Sequence, residues 1–268
     1  MGEIFFEISF FLFAFFLGKE ILPYFKILPS YSSPSSFGFL LSFLFISFLF
    51  FWIIKALKSS EKRKFFFLFL FVFSSLFGLN LVFSAFSPSL SFFFSLILIL
   101  IWFLWPKVFI HDLIVILALT GISALFSFSF SPESFLVLLF LLSLYDFISV
   151  FVTKHMVKMA KAMIGAEIFY GILLPKNFSG FLEEIKGEKK DFSFLGGGDI
   201  AFPLMLCFSF LRQSFWQGLV LAIFISLGLA FSFLILKKTK KPIPALCPIF
   251  LFALFGFLIL KILWRNPF

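Results

Sequence analysis

Two stretches decide how this chain reads: FLVLLFLLSLYDFISVFV, residues Phe135–Val152, and FLGGGDIAFPLMLCFSFL, residues Phe194–Leu211. Both are apolar and of membrane length, and each carries one acid, Asp146 in the first and Asp199 in the second. An ionisable group at the middle of a membrane helix costs at least ~2.5–3.5 kcal/mol, even on the lenient insertion scale. Two such residues on consecutive spans ask for a functional reason. Two carboxylates that can meet are also the minimum equipment for aspartyl-type hydrolysis.

The rest of the chain agrees with a membrane setting. Its 268 residues are 62% hydrophobic, and the mean hydropathy is +1.16. A soluble domain cannot hide that much apolar surface, so the expected fold is all-α and polytopic. Strands fit poorly, because the apolar runs are continuous over about 18–20 residues rather than alternating over about 10. The formal net charge of +9 does not point to nucleic acid. Most lysines flank apolar spans, where they grip anionic headgroups and set orientation. The opening MGEIFFE has glutamates where a secretory leader has basic residues, so no leader is expected. Cys207 and Cys247 sit in or beside apolar spans and read as small buried hydrophobes rather than a disulfide or metal pair. The 53 phenylalanines suit lipid contact but name no activity.

Nine spans are expected: Ile4–Leu17, Phe37–Ile54, Phe65–Phe86, Leu90–Trp105, Leu113–Phe130, Phe135–Val152, Phe194–Leu211, Leu219–Leu236 and Ala245–Trp264. They divide the chain into a six-helix part over 1–152 with the first aspartate, a loop over 153–193, and a three-helix part over 194–268 with the second. In the loop, TKHMVKMAKAMIGAEIFYGILL reads as an interfacial amphipathic helix, and PKNFSGFLEEIKGEKKD as a charged, mobile segment. Pro29–Ser36 reads as a surface loop. Of the 22 Lys and Arg residues, 17 fall on the side shared by the N-terminus and the long loop. That side is therefore cytoplasmic and the C-terminus lies outside. Asp146 precedes the cytoplasmic end of its span by six residues, and Asp199 follows the start of its span by five. At ~1.5 Å per residue, both carboxyls are expected about 8–9 Å below the same membrane face.

Two carboxyls a few Å apart in a low dielectric share one proton and titrate as a unit. One can draw a proton from water while the other hydrogen-bonds a peptide carbonyl; the sequence does not assign the parts. Gly196, Gly197 and Gly198 run directly into Asp199. Each weakens a helix by roughly 1 kcal/mol relative to alanine, and together they expose a backbone that an unwound peptide could join as an added strand. Close helix packing is the bland alternative. Pro242-Ile243-Pro244-Ala245-Leu246-Cys247-Pro248 opens the ninth span; its prolines leave backbone groups free, although prolines also mark ordinary span boundaries.

Tyr145-Asp146, Gly196-x-Gly198-Asp199 and Pro244-Ala245-Leu246, in this order on the sixth, seventh and ninth spans, resemble the presenilin and signal peptide peptidase superfamily of intramembrane aspartyl proteases. The resemblance implies that Asp146 and Asp199 are catalytic and that Pro244, Ala245 and Leu246 shape the site and admit substrate. It also implies that Tyr145, Gly196, Gly197 and Gly198 support the geometry. No metal or organic cofactor is implied, and the partners are transmembrane protein substrates within the bilayer. A cytoplasmic N-terminus and loop resemble the presenilin branch, and the short chain suggests a microbial member. The 153–193 loop is much shorter than the one animal presenilins cut to activate themselves, which puts self-cleavage and a need for accessory subunits in doubt.

Rival readings remain. Intramembrane acids also serve proton-coupled transporters and channels, a signal-peptide-peptidase-like enzyme would have the opposite orientation, and prepilin-type peptidases share the Gly-x-Gly-Asp motif. Gly121-Ile122-Ser123 mimics a rhomboid serine motif, but His111 and His155, the two histidines, are expected at the cytoplasmic boundary, away from Ser123. Two histidines without HExxH exclude a zinc protease. Asp112 reads as an N-cap, Glu7 as close enough to the terminus to reach headgroups or else as a polar group of the bundle, and Asn80 as bonding a neighbouring helix. Asn177-Phe178-Ser179 is a sequon on the inert cytoplasmic side.

Overall fold

The computed structural model describes residues 2–25, 59–154, 168–185, 192–239 and 243–263, with isolated helical positions at 38, 42, 45, 49 and 52. The chain is mostly helical: α1 (Gly2–Phe25), α2 (Ser60–Phe86), α3 (Ser91–Leu104), α4 (Val108–Phe126), α5 (Pro132–Phe147), α6 (Gly197–Leu211), α7 (Phe215–Thr239) and α8 (Leu246–Leu263). Among the described residues, five helical stretches are long and apolar enough to cross a membrane: Glu61–Phe86, Val108–Phe126, Pro132–Val152, Phe215–Thr239 and Leu246–Leu263. The protein is therefore an integral membrane protein, but these residues do not establish nine crossings. The expected fourth and seventh spans are the shorter helices Ser91–Leu104 and Gly197–Leu211. At 14 and 15 residues they are roughly 21–23 Å long, against a hydrocarbon core of about 30 Å. The expected second span, 37–54, lies outside the described residues apart from the isolated positions, and the 29–36 loop lies wholly outside them. The first helix is longer than expected, because it runs unbroken through Lys19 and Glu20, which pair with each other at 3.4 Å.

Helix packing relies on small residues. α2 crosses α4 at Gly78 and Gly121: a Cβ on Gly78 would come within 2.4 Å of the Ala118 carbonyl oxygen, and one on Gly121 within 2.3 Å of the Gly78 oxygen. Without hydrophobic drive between helices in lipid, such close backbone approach is what gives van der Waals attraction its reach. Ser123 ties α4 to α6 instead, donating to the Ala201 carbonyl at 3.1 Å. It sits twelve residues from His111 on the same helix, roughly 18 Å along the axis, so the two cannot act as nucleophile and base. Asn80 Oδ1 has no hydrogen-bond partner among the described residues. Cys207 and Cys247 are free thiols, and Cys247 Sγ donates to the Ser143 carbonyl at 3.3 Å.

The long loop overturns the purely helical expectation. It contributes a two-stranded antiparallel sheet, β1 (Gly171–Pro175) with β2 (Phe192–Gly196), in a register pairing Gly171 with Gly196 and Pro175 with Phe192. Periodicity missed β1 because all five of its residues are buried, so no alternation shows. The GILL segment, read as the end of an amphipathic helix, forms this strand with Pro175; residues 155–167 of that expected helix lie outside the described residues. The charged half is also more ordered than expected over 176–185. A 3-10 turn at Phe178–Leu182 sets Phe178 and Phe181 edge-on against Phe6 of α1, each with ring centroids 4.7 Å away. Glu183 and Ile185 bond the backbone that opens α4, through Val108 N–H to the Glu183 carbonyl and Ile185 N–H to the Pro106 carbonyl.

Candidate active site

Asp146 lies near the end of α5, a helix opened by Ser131, whose hydroxyl accepts the Ser134 N–H, and by Pro132 at its first turn. Directly after the aspartate the helix widens into a π-turn, Ile148–Val152, an irregularity often found at functional sites. Ser149 donates to the Asp146 carbonyl at 3.0 Å. The Asp146 side chain is buried, and its Oδ2 accepts the backbone N–H of Leu246 at 3.2 Å. That donor exists because Pro244 and Ala245 stay outside the helix, so Leu246 begins α8 with its amide unspent on an internal bond. The expected proline motif and the first aspartate, 100 residues apart, are thus in direct contact.

Asp199 is presented differently. β2 delivers the chain in extended form to Gly196, which is the N-cap of α6, with Asp199 in the first helical turn. The Asp199 carboxyl reaches back to the Gly196 backbone N–H, the reciprocal half of a capping box. Gly196 is required by this arrangement: a Cβ there would stand 3.0 Å from Asp199 Oδ2. Gly197 donates its N–H to the Tyr170 carbonyl at 2.8 Å, extending the β1–β2 ladder by one bond. The seventh span therefore starts as a strand, so the depth estimate from helical rise does not apply to Asp199. The helices that carry the two aspartates, α5 and α6, pack against each other, and α8 packs against α5. Tyr145 is half-buried beside Asp146, and Pro244 is buried at the approach to α8.

A cavity of about 410 Å³ between α2 and α4 reaches Gly197 and Gly198, with Phe67, Phe71, Val115 and Leu119 among its other lining. It is apolar up to the exposed Gly198, the residue before Asp199. The outer edge of β1 is closed by two side chains of α4. His111 Nε2 lies 3.2 Å from the Gly171 carbonyl, and Asp112 Oδ1 accepts the Leu173 N–H at 2.9 Å. Both residues are buried, and Asp112 is not an N-cap; Lys107 holds that position. β2 has β1 as its one strand neighbour among the described residues. Among the same residues, no group of three or more His, Cys, Asp or Glu could hold a metal ion. Of the two readings of Glu7, burial within the bundle fits the second, since the residue is 1% exposed in α1. Its spacing of four from Glu3 inside an apolar run was the available signal.

Helices of membrane length and two acids on neighbouring helices, each bonded by an amide at a helix start, define a class of polytopic membrane protein with a buried acidic site. The profile described as signal-peptide peptidase, presenilin aspartyl protease matches residues 28–265, and the chain belongs to that family. No curated protein sequence matches it. Two solved structures of a presenilin family intramembrane aspartate protease share its fold. The one in a C222 crystal form has a TM-score of 0.68 at 19% identity, covering 97% of this chain and 99% of that one. The one in a P2 form has a TM-score of 0.66 at 20% identity, with 96% of each chain covered.

Proposed function

We propose that this protein is an endopeptidase that cuts peptide bonds inside the transmembrane segments of other membrane proteins, with Asp146 and Asp199 as its catalytic pair and water as the nucleophile. The observation that carries this reading is the Leu246 N–H on Asp146 Oδ2, together with the packing against each other of α5 and α6, the helices that carry Asp146 and Asp199. It joins three motifs that sequence alone could only place in order. One carboxylate takes a proton from water as the oxygen attacks the peptide carbon; the other donates to the carbonyl oxygen, and the amine leaves with a proton as the carbon–nitrogen bond breaks. No cofactor enters. Tyr145, Gly196, Gly197, Gly198, Pro244 and Ala245 hold the geometry. The apolar cavity beside Gly198 receives the substrate helix, and its unwound segment adds along the outer edge of β2, since α4 side chains occupy the outer edge of β1. The enzyme sits in the cell membrane with the N-terminus and 153–193 loop cytoplasmic and the C-terminus outside, and works without accessory subunits.

The test is cleavage of a reporter single-span protein in proteoliposomes. Asp146→Ala and Asp199→Ala should each abolish it while the purified proteins keep the thermal unfolding of the unmutated chain. Undiminished cleavage by either variant refutes the pair. Acid-driven ion flux without cleavage would instead support a transporter.

A further inference from the structure

The aspartates lie at one end of the bundle, and a second cavity lies at the other. Asp146 is near the end of α5 and Asp199 near the start of α6. At the opposite end, where α1, α4 and α6 finish and α5 and α7 begin, there is a space of about 640 Å³. Its polar lining includes Lys19, Arg212 and Gln213, and its apolar lining includes Leu22, Phe128 and Phe215. Among the described residues that line it there are two cations and no acid. Three stretches of membrane length end or begin here, at Phe126, Pro132 and Phe215, which puts the cavity at the level of the lipid headgroups. Tyr24 and Trp216, next in sequence to the lining residues Pro23 and Phe215, are exposed, and such aromatic side chains gather at that level.

Membrane orientation does not account for these two cations. Lysine and arginine set sidedness from the cytoplasmic face, and 17 of the 22 are expected on the side of the long loop. Of the remaining five, Lys19 and Arg212 converge on one cavity. Both are held in place. Gly18 packs so tightly on α6 that a Cβ there would stand 2.0 Å from Phe208 Cζ, which seats Lys19 beside the last turn of that helix. Lys19 Nζ lies 5.2 Å from the Phe215 ring centre. Arg212 gives one N–H to the Ser127 carbonyl and lays its guanidinium over Phe128, 4.3 Å from the ring centre. A guanidinium fixed in this way loses little freedom on meeting a ligand and keeps further donors for a phosphate. Glu20 pairs with Lys19 at 3.4 Å, but both side chains are exposed, so water weakens that pair.

We infer that this cavity binds the phosphate of an anionic phospholipid, between Lys19 and Arg212, at the membrane face away from the aspartates. A phosphodiester offers acceptor oxygens and a negative charge to both side chains. Leu22, Phe128 and Phe215 give its glycerol and acyl chains an apolar wall for which a free anion has no use. This site stands apart from the hydrolase reading above.

The experiment is native mass spectrometry of the full chain in detergent, titrated with phosphatidylglycerol, phosphatidylcholine or glycerol phosphate. One phosphatidylglycerol should be retained in preference to phosphatidylcholine, and excess glycerol phosphate should not displace it. Lys19→Gln and Arg212→Gln should each weaken retention about fivefold, the usual worth of one cation at an anionic membrane surface. Lys19 is exposed, so its variant decides the matter if Arg212→Gln, which also loses the Ser127 bond, disturbs folding. Lys261→Gln removes the same charge from an exposed position near the end of α8, outside the cavity lining, and should change nothing. Unaltered retention in Lys19→Gln, or an equal loss in Lys261→Gln, overturns the inference. Equal retention of phosphatidylcholine overturns it too, as the mark of an unselective apolar groove, and displacement by glycerol phosphate does so as the mark of a free-anion site.

Discussion

The two aspartates sit in the same site but are held by opposite strategies. Asp199 is organised locally: its backbone donor is Gly196, three residues upstream, and the strand–glycine–helix sequence around it builds the cradle. Asp146 is organised at long range, since its donor, Leu246, belongs to a helix that begins 100 residues later. The difference teaches that one half of the site is written in a tetrapeptide, while the other half exists only once α8 has docked on α5. Both halves use the same physics, an unspent amide at the start of a helix given to an acid.

This contrast can be tested in order of expected effect. Removing either charge acts on the chemistry itself, so Asp146→Asn and Asp199→Asn should each cost cleavage about 10²–10⁴-fold. The two losses should be of equal size despite the unequal anchoring, as single-turnover assays would show. Next comes the long-range donor. Leu246→Pro removes the N–H at a helical position where proline is tolerated, and the lost bond to a charged group is worth about 1.5–3 kcal/mol. Cleavage should fall about ten- to hundredfold, well beyond Leu246→Ala, which keeps the amide; equal losses in the two variants would dissolve the Asp146–Leu246 link. Gly196→Ala is the local counterpart. Its methyl would crowd Asp199 Oδ2 at 3.0 Å, and displacement approaching 1 Å can cost up to about 10²-fold, so kcat should drop while thermal stability holds.

Two smaller effects sharpen the comparison. Asp112→Ala strips the Leu173 N–H of its partner on the outer edge of β1 and should destabilise the fold by about 1–3 kcal/mol, seen as a lower Tm. Gly198→Ala should do least. A Cβ there would meet only the Phe202 ring, at 3.6 Å, so the change should raise stability by about 0.4–1 kcal/mol through the unfolded chain. Gly198 serves the site through its backbone, so activity should be kept; a large loss at position 198 would mean that its lack of a side chain is itself required.

Much of the site was legible before any coordinates. Asp146, Asp199 and Leu246 stand out because a charge or a proline motif inside an apolar run is costly and hence informative. Other parts were not legible, and for identifiable reasons. β1 carries no alternation because both its faces are buried. Asp112 at the start of an apolar run looks the same whether it caps its own helix or, as here, bonds a strand 61 residues away. Glu7 looks like a headgroup contact until the helix face it occupies is known.

By itself the sequence determined that this chain belongs in a membrane, that its crossings are helical, and that two acids lie on consecutive apolar segments. Those conclusions follow from local quantities: transfer free energy, run length and the cost of a buried charge. Only the tertiary structure decided that a strand rather than a helix leads into Asp199, that Leu246 serves Asp146, and that Glu7 is buried. Each of these depends on which backbone groups are left without partners after the helices pack, and that accounting closes over the whole chain rather than over any one segment.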